Sequence, residues 1–313
     1  MQEQRNIRLL ILLGVLTAAT LMTYFFLQDG DRAVVDPALF RAENLSKIDH
    51  VVLESKNKKV DLRFDGKRWK VNDRFDASAH LIDFLFATLE KAVPKHPVAL
   101  HQRDSVYQRL DIFGTTVSLF EGSVLQMQFR AGGNASKTEA YFKTGKKSEA
   151  YLMAFPGYRA YVSQIFELDE NVWRDKRIFN FNWRNFKTLT VKFPSDPASD
   201  FEIGKQGRFF GVIGLDKPDT AKVNTFLDDV SLLAADQIVV AGSSRVYDSL
   251  VKSTPLLAFE VRDIMDRSYR LVLFSGLRGD RYLIGKAFDG ETVLFDRKKA
   301  FAIYKKRGYF KGK

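Results

Sequence analysis

Hydrophobic residues fall along this chain in three patterns, and each predicts a different element. The first is continuous. No charged residue occurs from Leu9 to Leu27, a run of nineteen residues made mainly of Leu, Ile, Val, Ala and Phe. At about 1.5 Å per residue a helix of this length nearly matches the roughly 30 Å hydrocarbon core of a bilayer. The run predicts one transmembrane helix at residues 9–27, behind a cytoplasmic leader at 1–8 and ahead of a linker at 28–43. Arg5 and Arg8 stand on its amino side, and Asp29 and Asp31 outnumber Arg32 beyond it, which orients the amino terminus toward the cytoplasm. The run exceeds the roughly 7–15 apolar residues of a secretory signal. Tyr24, Phe25, Phe26 and Leu27 also close it where a cleavage site needs small residues. A retained, single-pass anchor is expected, with the amino terminus cytoplasmic and the main body extracytoplasmic.

The second pattern has period two and is broken by glycine. In LRFDGKRWKV, Leu62, Phe64, Trp69 and Val71 flank Gly66, and in IGKQGRFFGV, Ile203, Lys205, Phe210 and Val212 flank Gly207. Each predicts a hairpin, one strand face buried and the glycine supplying the turn. The third pattern has helical period. Leu81, Leu85 and Leu89 follow Asp76, and Val223, Leu227, Val230 and Ala234 follow Asp219, so both segments predict amphipathic helices with the aspartates as N-caps. Extended phrases come next, at Pro97–Leu100 and Gln237–Val240.

Strand pairs are then expected at 117–129 and 140–153, turning at Glu121-Gly122 and Thr144-Gly145. Their counterparts are 257–274 and 281–295, turning near Asp266 and at Asp289-Gly290. The order therefore repeats at a spacing of roughly 140 residues, far beyond the 20–50 of solenoids. It predicts an α+β protein of two similar units, each made of antiparallel strands and hairpins packed with an amphipathic helix. The first would occupy residues 44–179 and the second 180–313, meeting near Trp173 to Trp183.

This order carries a family resemblance. The hairpin with its Gly66-x-x-Trp69 turn, the Asp-led helix, a later Glu-Ala-Tyr strand and the phrase Val172-Trp173-Arg174-Asp175-Lys176-Arg177 resemble the bacterial family called domain of unknown function 4340. The likeness covers most of the chain beyond the anchor. It implies a single amino-terminal span and an extracytoplasmic αβ body. Some members are encoded beside membrane components of gliding-type ABC transporters, which implies an accessory role. No catalytic residue comes with the resemblance. The second copy departs from the first at Phe210, where the first has Trp69, and lacks a closing Trp-Arg-Asp phrase.

Composition narrows the chemistry. With 45% hydrophobic residues and 27 Phe, the chain has ample material for packed cores. The absence of Cys excludes thiol catalysis, Cys-ligated zinc and iron–sulfur clusters. The net charge of +11 suits anionic lipid headgroups or envelope polymers, and it also simply keeps a domain soluble. Nucleic acid is not expected, because the cations are scattered and the body faces away from the cytoplasm.

Short motifs mostly dissolve on inspection. AGGNASKT at 131–138 has Ala131 and Ser136 where a phosphate loop needs glycines, and Arg278-Gly279-Asp280 is ordinary turn composition. His50, His80, His96 and His101 have no carboxylate cluster beside them, and there is no Gly-x-Ser-x-Gly elbow. Neither a metal nor a cofactor is expected. Glu167, Asp169, Glu170 and Asp175 would serve a glycan-cutting pair only if held about 5–10 Å apart across a cleft. The basic tail from Tyr304 is expected to be solvated.

Trp173, Arg174, Asp175 and Trp183 are the candidate interaction residues, because Trp and Arg supply large buried contacts at interfaces. Trp173 is expected to pack between the halves, with Arg174 and Asp175 pairing locally. The expected function is a non-catalytic, membrane-anchored envelope protein that binds another membrane or envelope protein, as an accessory or scaffold of an ABC-type transport or surface-assembly system. The alternative is an envelope polysaccharide-binding protein or hydrolase.

Overall fold

The alternating and helical stretches sort into an α+β fold with two antiparallel sheets and few helices. The computed structural model describes residues 12–23, 35–145, 148–179, 181–277 and 279–312. Helix α1 (residues 12–23) comes first, followed by β1 (His50–Glu54), β2 (Lys59–Phe64), β3 (Trp69–Val71) and β4 (Phe75–Asp76). Helix α2 (Ala79–Lys91), β5 (Val93–Pro97) and α3 (Leu100–Phe113) lead to β6 (Thr115–Glu121), β7 (Val124–Gly133), β8 (Ala140–Lys143) and β9 (Ala150–Ala154). A single turn, α4 (Glu170–Trp173), precedes β10 (Phe186–Lys192), β11 (Phe201–Gln206), β12 (Phe209–Val212), α5 (Thr220–Ser231), β13 (Gln237–Val239) and α6 (Arg245–Leu250). The chain ends with β14 (Leu257–Asp263), β15 (Ser268–Phe274), β16 (Tyr282–Ala287), β17 (Glu291–Asp296) and α7 (Arg297–Ile303).

Helix α1 lies inside the span expected at 9–27, whose remaining residues fall outside those described. Among the described residues no helix is long and apolar enough to cross a membrane. Every residue of α1 is exposed, including Leu12, Leu13, Val15, Leu16 and Leu21. Its three threonines, Thr17, Thr20 and Thr23, donate their hydroxyls to carbonyls four residues back at 2.6–2.7 Å, so these side chains need no water.

The chain divides into two compact units, one of residues 1–59 and 84–167, the other of residues 60–83 and 168–313. In the first, six strands run in the order β1-β6-β7-β8-β9-β5, each pair antiparallel. Alternation buries Val51 and Leu53 of β1 with Val117 and Leu119 of β6. Four phenylalanines fill the centre. Phe129 stacks on Phe142 at 4.8 Å, while Phe40 and Phe166 meet both rings edge-on at 5.5–5.8 Å. The edge strand β5 carries Pro94 and Pro97, which leaves it fewer donors for a further strand.

Helix α3 differs from the extended phrase expected at Pro97–Leu100: the strand ends at Pro97 and the helix begins at Leu100. In α3 only Val106 and Leu110 are buried, so the stripe that would announce it is two residues wide. They pack with Val98, Tyr141 and Ala150.

In the second unit, eight strands run β12-β11-β10-β14-β15-β16-β17-β13. Their buried positions, among them Leu189, Val191, Phe259, Val261, Leu271 and Leu273, join Val223, Phe226, Leu227 and Val230 of α5 and Ile303 of α7 in one core. Asp219 caps α5, accepting the Lys222 amide at 3.1 Å. Asp76 does not act as a cap: it belongs to β4, α2 starts three residues later, and its carboxylate is held by Lys70 at 2.5 Å and by Arg68. The antiparallel run β2-β3-β4 also belongs to this unit. Gly66 turns the β2–β3 hairpin at φ +91° and Gly207 turns β11–β12 at φ +63°, where a side chain would strain the backbone.

The basic tail is not solvated throughout. Phe310 is fully buried against Phe201 and Phe226, at 5.0 and 5.2 Å, and its carbonyl accepts the Asp219 amide at 2.8 Å. The neighbouring lysines mask one buried ring.

Candidate functional site

The site grows from period-two alternation in the second unit. Along β14, Leu257, Phe259 and Val261 enter the core, so Glu260 and Arg262 must point to the opposite face. Register sets Arg270 of β15 opposite Glu260, Ser268 opposite Arg262, and Lys286 of β16 opposite Val272. One face of the sheet is thus a core wall and the other a charged floor. Arg262 holds Glu260 at 2.9 Å, with Ser268 at 3.2 Å and Arg270 at 3.4 Å. The Arg262 hydrogen bond is the main reason the Glu260 carboxyl lies below its ordinary value. Lys187 holds Asp266 at 2.6 Å.

Two segments wall this floor. The first is β3–β4, with Lys70, Arg74, Phe75 and Asp76. Burial alone would raise the Asp76 carboxyl, but the hydrogen bonds from Lys70 and Arg68 outweigh it and leave the group below its usual value. The second is an extended strap at 173–178. The Trp173 carbonyl accepts the Ser78 amide, and Asp175 donates to the Asp76 carbonyl, both at 2.7 Å. Ile178 donates to Leu233, and Ala235 donates to Lys176, both at 2.9 Å.

Together with the Phe288–Gly290 turn these pieces enclose a cleft of about 1050 Å³. Seven of its lining side chains are Lys or Arg (70, 74, 174, 177, 262, 270, 286) and four are Asp or Glu (76, 175, 260, 266). The surplus of positive charge makes it an anion-attracting cleft.

Arg174 joins the strap to the sheet. It is 4% exposed and forms a fork with Glu291 at 3.0 and 2.5 Å, while its third polar partner is Asn171 at 3.1 Å. Its guanidinium lies 3.5 Å from the Phe75 ring centre. Asp175 pairs with Arg177, through bonds of 2.9 and 2.5 Å, and this carboxylate is the main cause of the raised Arg177 value. Local pairing therefore describes Asp175, whereas Arg174 reaches a partner 117 residues away.

Of the four candidate interaction residues, Arg174 and Asp175 line the cleft. Trp173 is wholly buried, so it offers no surface, and its indole Nε1 has no hydrogen-bond partner among the described residues. Trp183 is 47% exposed and outside the cleft lining, donating to Asp228 of α5 at 3.1 Å with its ring 5.7 Å from Phe210.

Sequence reasoning missed Arg74, Glu260, Arg262, Arg270 and Lys286. The alternation of LAFEVRD contained the signal for the floor, but not which face would be walled. Two of the acidic residues suspected of glycan chemistry, Glu167 and Asp175, are occupied. Glu167 accepts the Tyr161 hydroxyl and Lys137 at 2.8 Å, and Asp175 holds Arg177. Burial, and then Glu167, push the Tyr161 hydroxyl well above its usual value, so it stays protonated. Among the described residues no three His, Asp or Glu side chains converge as a metal ion requires. No family model, curated protein or solved structure matches the chain.

Proposed function

We propose that this chain is a non-catalytic binding protein anchored in a bacterial inner membrane by residues 9–27, its amino terminus cytoplasmic and its body extracytoplasmic. The observation that carries the binding role is the walled, positively charged cleft of the second unit, whose carboxylates are all engaged by cations. Such a lining attracts and orients an anionic group and keeps no carboxylate free as a general base. The anchor draws support from α1, where apolar residues are exposed and each threonine hydroxyl is satisfied within the helix.

The strand orders also favour a duplicated origin. Six strands run β1-β6-β7-β8-β9-β5 in the first unit and β10-β14-β15-β16-β17-β13 in the second, and in both the chain passes from the first of these strands through a hairpin and a helix to the last. The family reading rests on the sequence, where the hairpin and helix order and the Trp173–Arg177 phrase resemble domain of unknown function 4340. From that resemblance comes the proposed role as accessory or scaffold of an ABC-type transport or surface-assembly system.

Affinity purification of the intact chain from mild detergent tests the role. A membrane component of such a system should copurify with the wild type and be lost from Arg262→Glu/Arg270→Glu. Equal recovery by both would reject the cleft as its binding site. Release of the chain by alkaline carbonate would reject the anchor.

A further inference from the structure

We propose that the cleft takes an extended, net-acidic polypeptide segment of the partner protein, with Arg74, Arg270 and Lys286 receiving its side-chain carboxylates. This deepens the binding reading above and rests on it.

Charge bookkeeping within the cleft selects these three residues. Asp76 is held by Lys70, Asp175 by Arg177, Glu260 by Arg262 and Asp266 by Lys187, while Arg174 is committed to Glu291. Arg270 remains as a second and more distant cation on Glu260, with its side chain 73% exposed. Arg74 lies over the Phe75 ring at 4.8 Å, and Lys286 donates to the Gly290 carbonyl at 2.8 Å. Neither has a carboxylate within ion-pair distance among the described residues.

The choice of polypeptide follows from what else lines the cleft. A polymer of uniform negative charge would meet the four carboxylates on the same walls, and like charges in contact select against it. A polypeptide brings a backbone N–H at every residue but proline for those carboxylates to accept, beside acidic side chains for Arg74, Arg270 and Lys286. A sugar polymer would want an open aromatic face. Of the three aromatic residues in the lining, however, Phe75 is covered by Arg174 at 3.5 Å and Arg74 at 4.8 Å, and Tyr269 and Phe288 pack against the core. The volume of about 1050 Å³ lies at the upper end of small-molecule sites, and the floor is a strand face along which an extended chain can lie.

The test is selection of a random dodecapeptide display library on the intact chain in detergent micelles. The variant Arg74→Glu/Arg270→Glu/Lys286→Glu is run beside it. Enriched peptides should carry an excess of Asp and Glu over Lys and Arg. A synthetic copy of the best one should bind the wild type about 30-fold more tightly than the variant, and should weaken as salt is raised. Sodium alginate, a uniform uronate polymer, should compete less well than the peptide. Enrichment of neutral or basic peptides, stronger competition by alginate, or equal binding by a folded variant would overturn the proposal. Circular dichroism establishes folding of the variant. If it does not fold, Arg74→Gln, Arg270→Gln and Lys286→Gln replace it singly, each expected to weaken binding. Should peptide selection fail while the membrane component still copurifies in a cleft-dependent manner, only the acidic segment is rejected. Loss of both results rejects the binding reading as well.

Discussion

Replacing Arg174 by Met should release the strap at 173–178 without unfolding the second unit. The side chain is 5% exposed, and its fork to Glu291 closes at 3.0 and 2.5 Å. Breaking a fully buried ion pair costs about 3–5 kcal/mol, because the orphaned charge stays dry. Here the Glu291 side chain is 35% exposed and can rehydrate, which brings the cost down to about 1–2 kcal/mol. Loss of the desolvated stacking on Phe75 adds about 1 kcal/mol. The sum, about 2–3 kcal/mol, corresponds to about a 30- to 150-fold change in an opening equilibrium. Hydrogen exchange on the intact chain in detergent reads this directly. The amides of Ser78, Asp175, Ile178 and Ala235 should lose protection by that factor, since their acceptors or donors belong to the strap. Amides of β10 and β14 should keep theirs. Adding Glu291→Gln to Arg174→Met should change little more, because the pair is already broken. Unchanged protection at the four strap amides, or an equal loss at β10 and β14, would refute this account.

Three further outcomes are expected. Phe310→Ala should destabilise the second unit by about 3–5 kcal/mol in a denaturant titration, as for any large ring removed from a packed core, whereas a solvated tail would show no change. Gly207→Ala should cost about 1–2 kcal/mol through its φ of +63° alone, since nothing lies within 4 Å of the added methyl, and a melting temperature equal to wild type would contradict the strained-turn assignment. The lowered Asp76 value means its stabilisation is complete above the ordinary carboxylate value of 3.8 and is lost as pH falls through the lower folded value. Asp76→Asn should therefore flatten the fall of melting temperature below about pH 4, and parallel acid limbs for the two proteins would count against it.

What the sequence revealed was local. The hairpins at Gly66 and Gly207 needed only alternation and one permissive glycine, and the cap at Asp219 needed only a carboxylate beside a helical stripe. Helix α3 escaped because two buried residues in fourteen do not make a stripe. The tail misled because Phe310 is buried among cations that are not. Asp76 looked like a cap by analogy with Asp219, but two further residues separate it from α2 and two cations compete for its carboxylate. The site was legible only at Arg174 and Asp175. Their partners, and the charged floor they help to wall, are set by pairings such as Arg174 with Glu291, which no local pattern encodes.

The second unit is assembled from two separate stretches, residues 60–83 and 168–313. Translation proceeds at about 5–20 residues per second, so the early stretch leaves the ribosome roughly 10 to 50 s before the last strand and Phe310 exist. Until residues 173–178 are made, the Ser78 amide and the Asp76 carbonyl lack Trp173 and Asp175, the partners that hold them in the finished unit. A truncated product that stops before residue 168 would thus carry this stretch without the rest of its unit, and cutting the gene between the strand sets would separate the same two pieces. Quality control during synthesis, rather than the finished molecule, would be the place where this arrangement makes its demands.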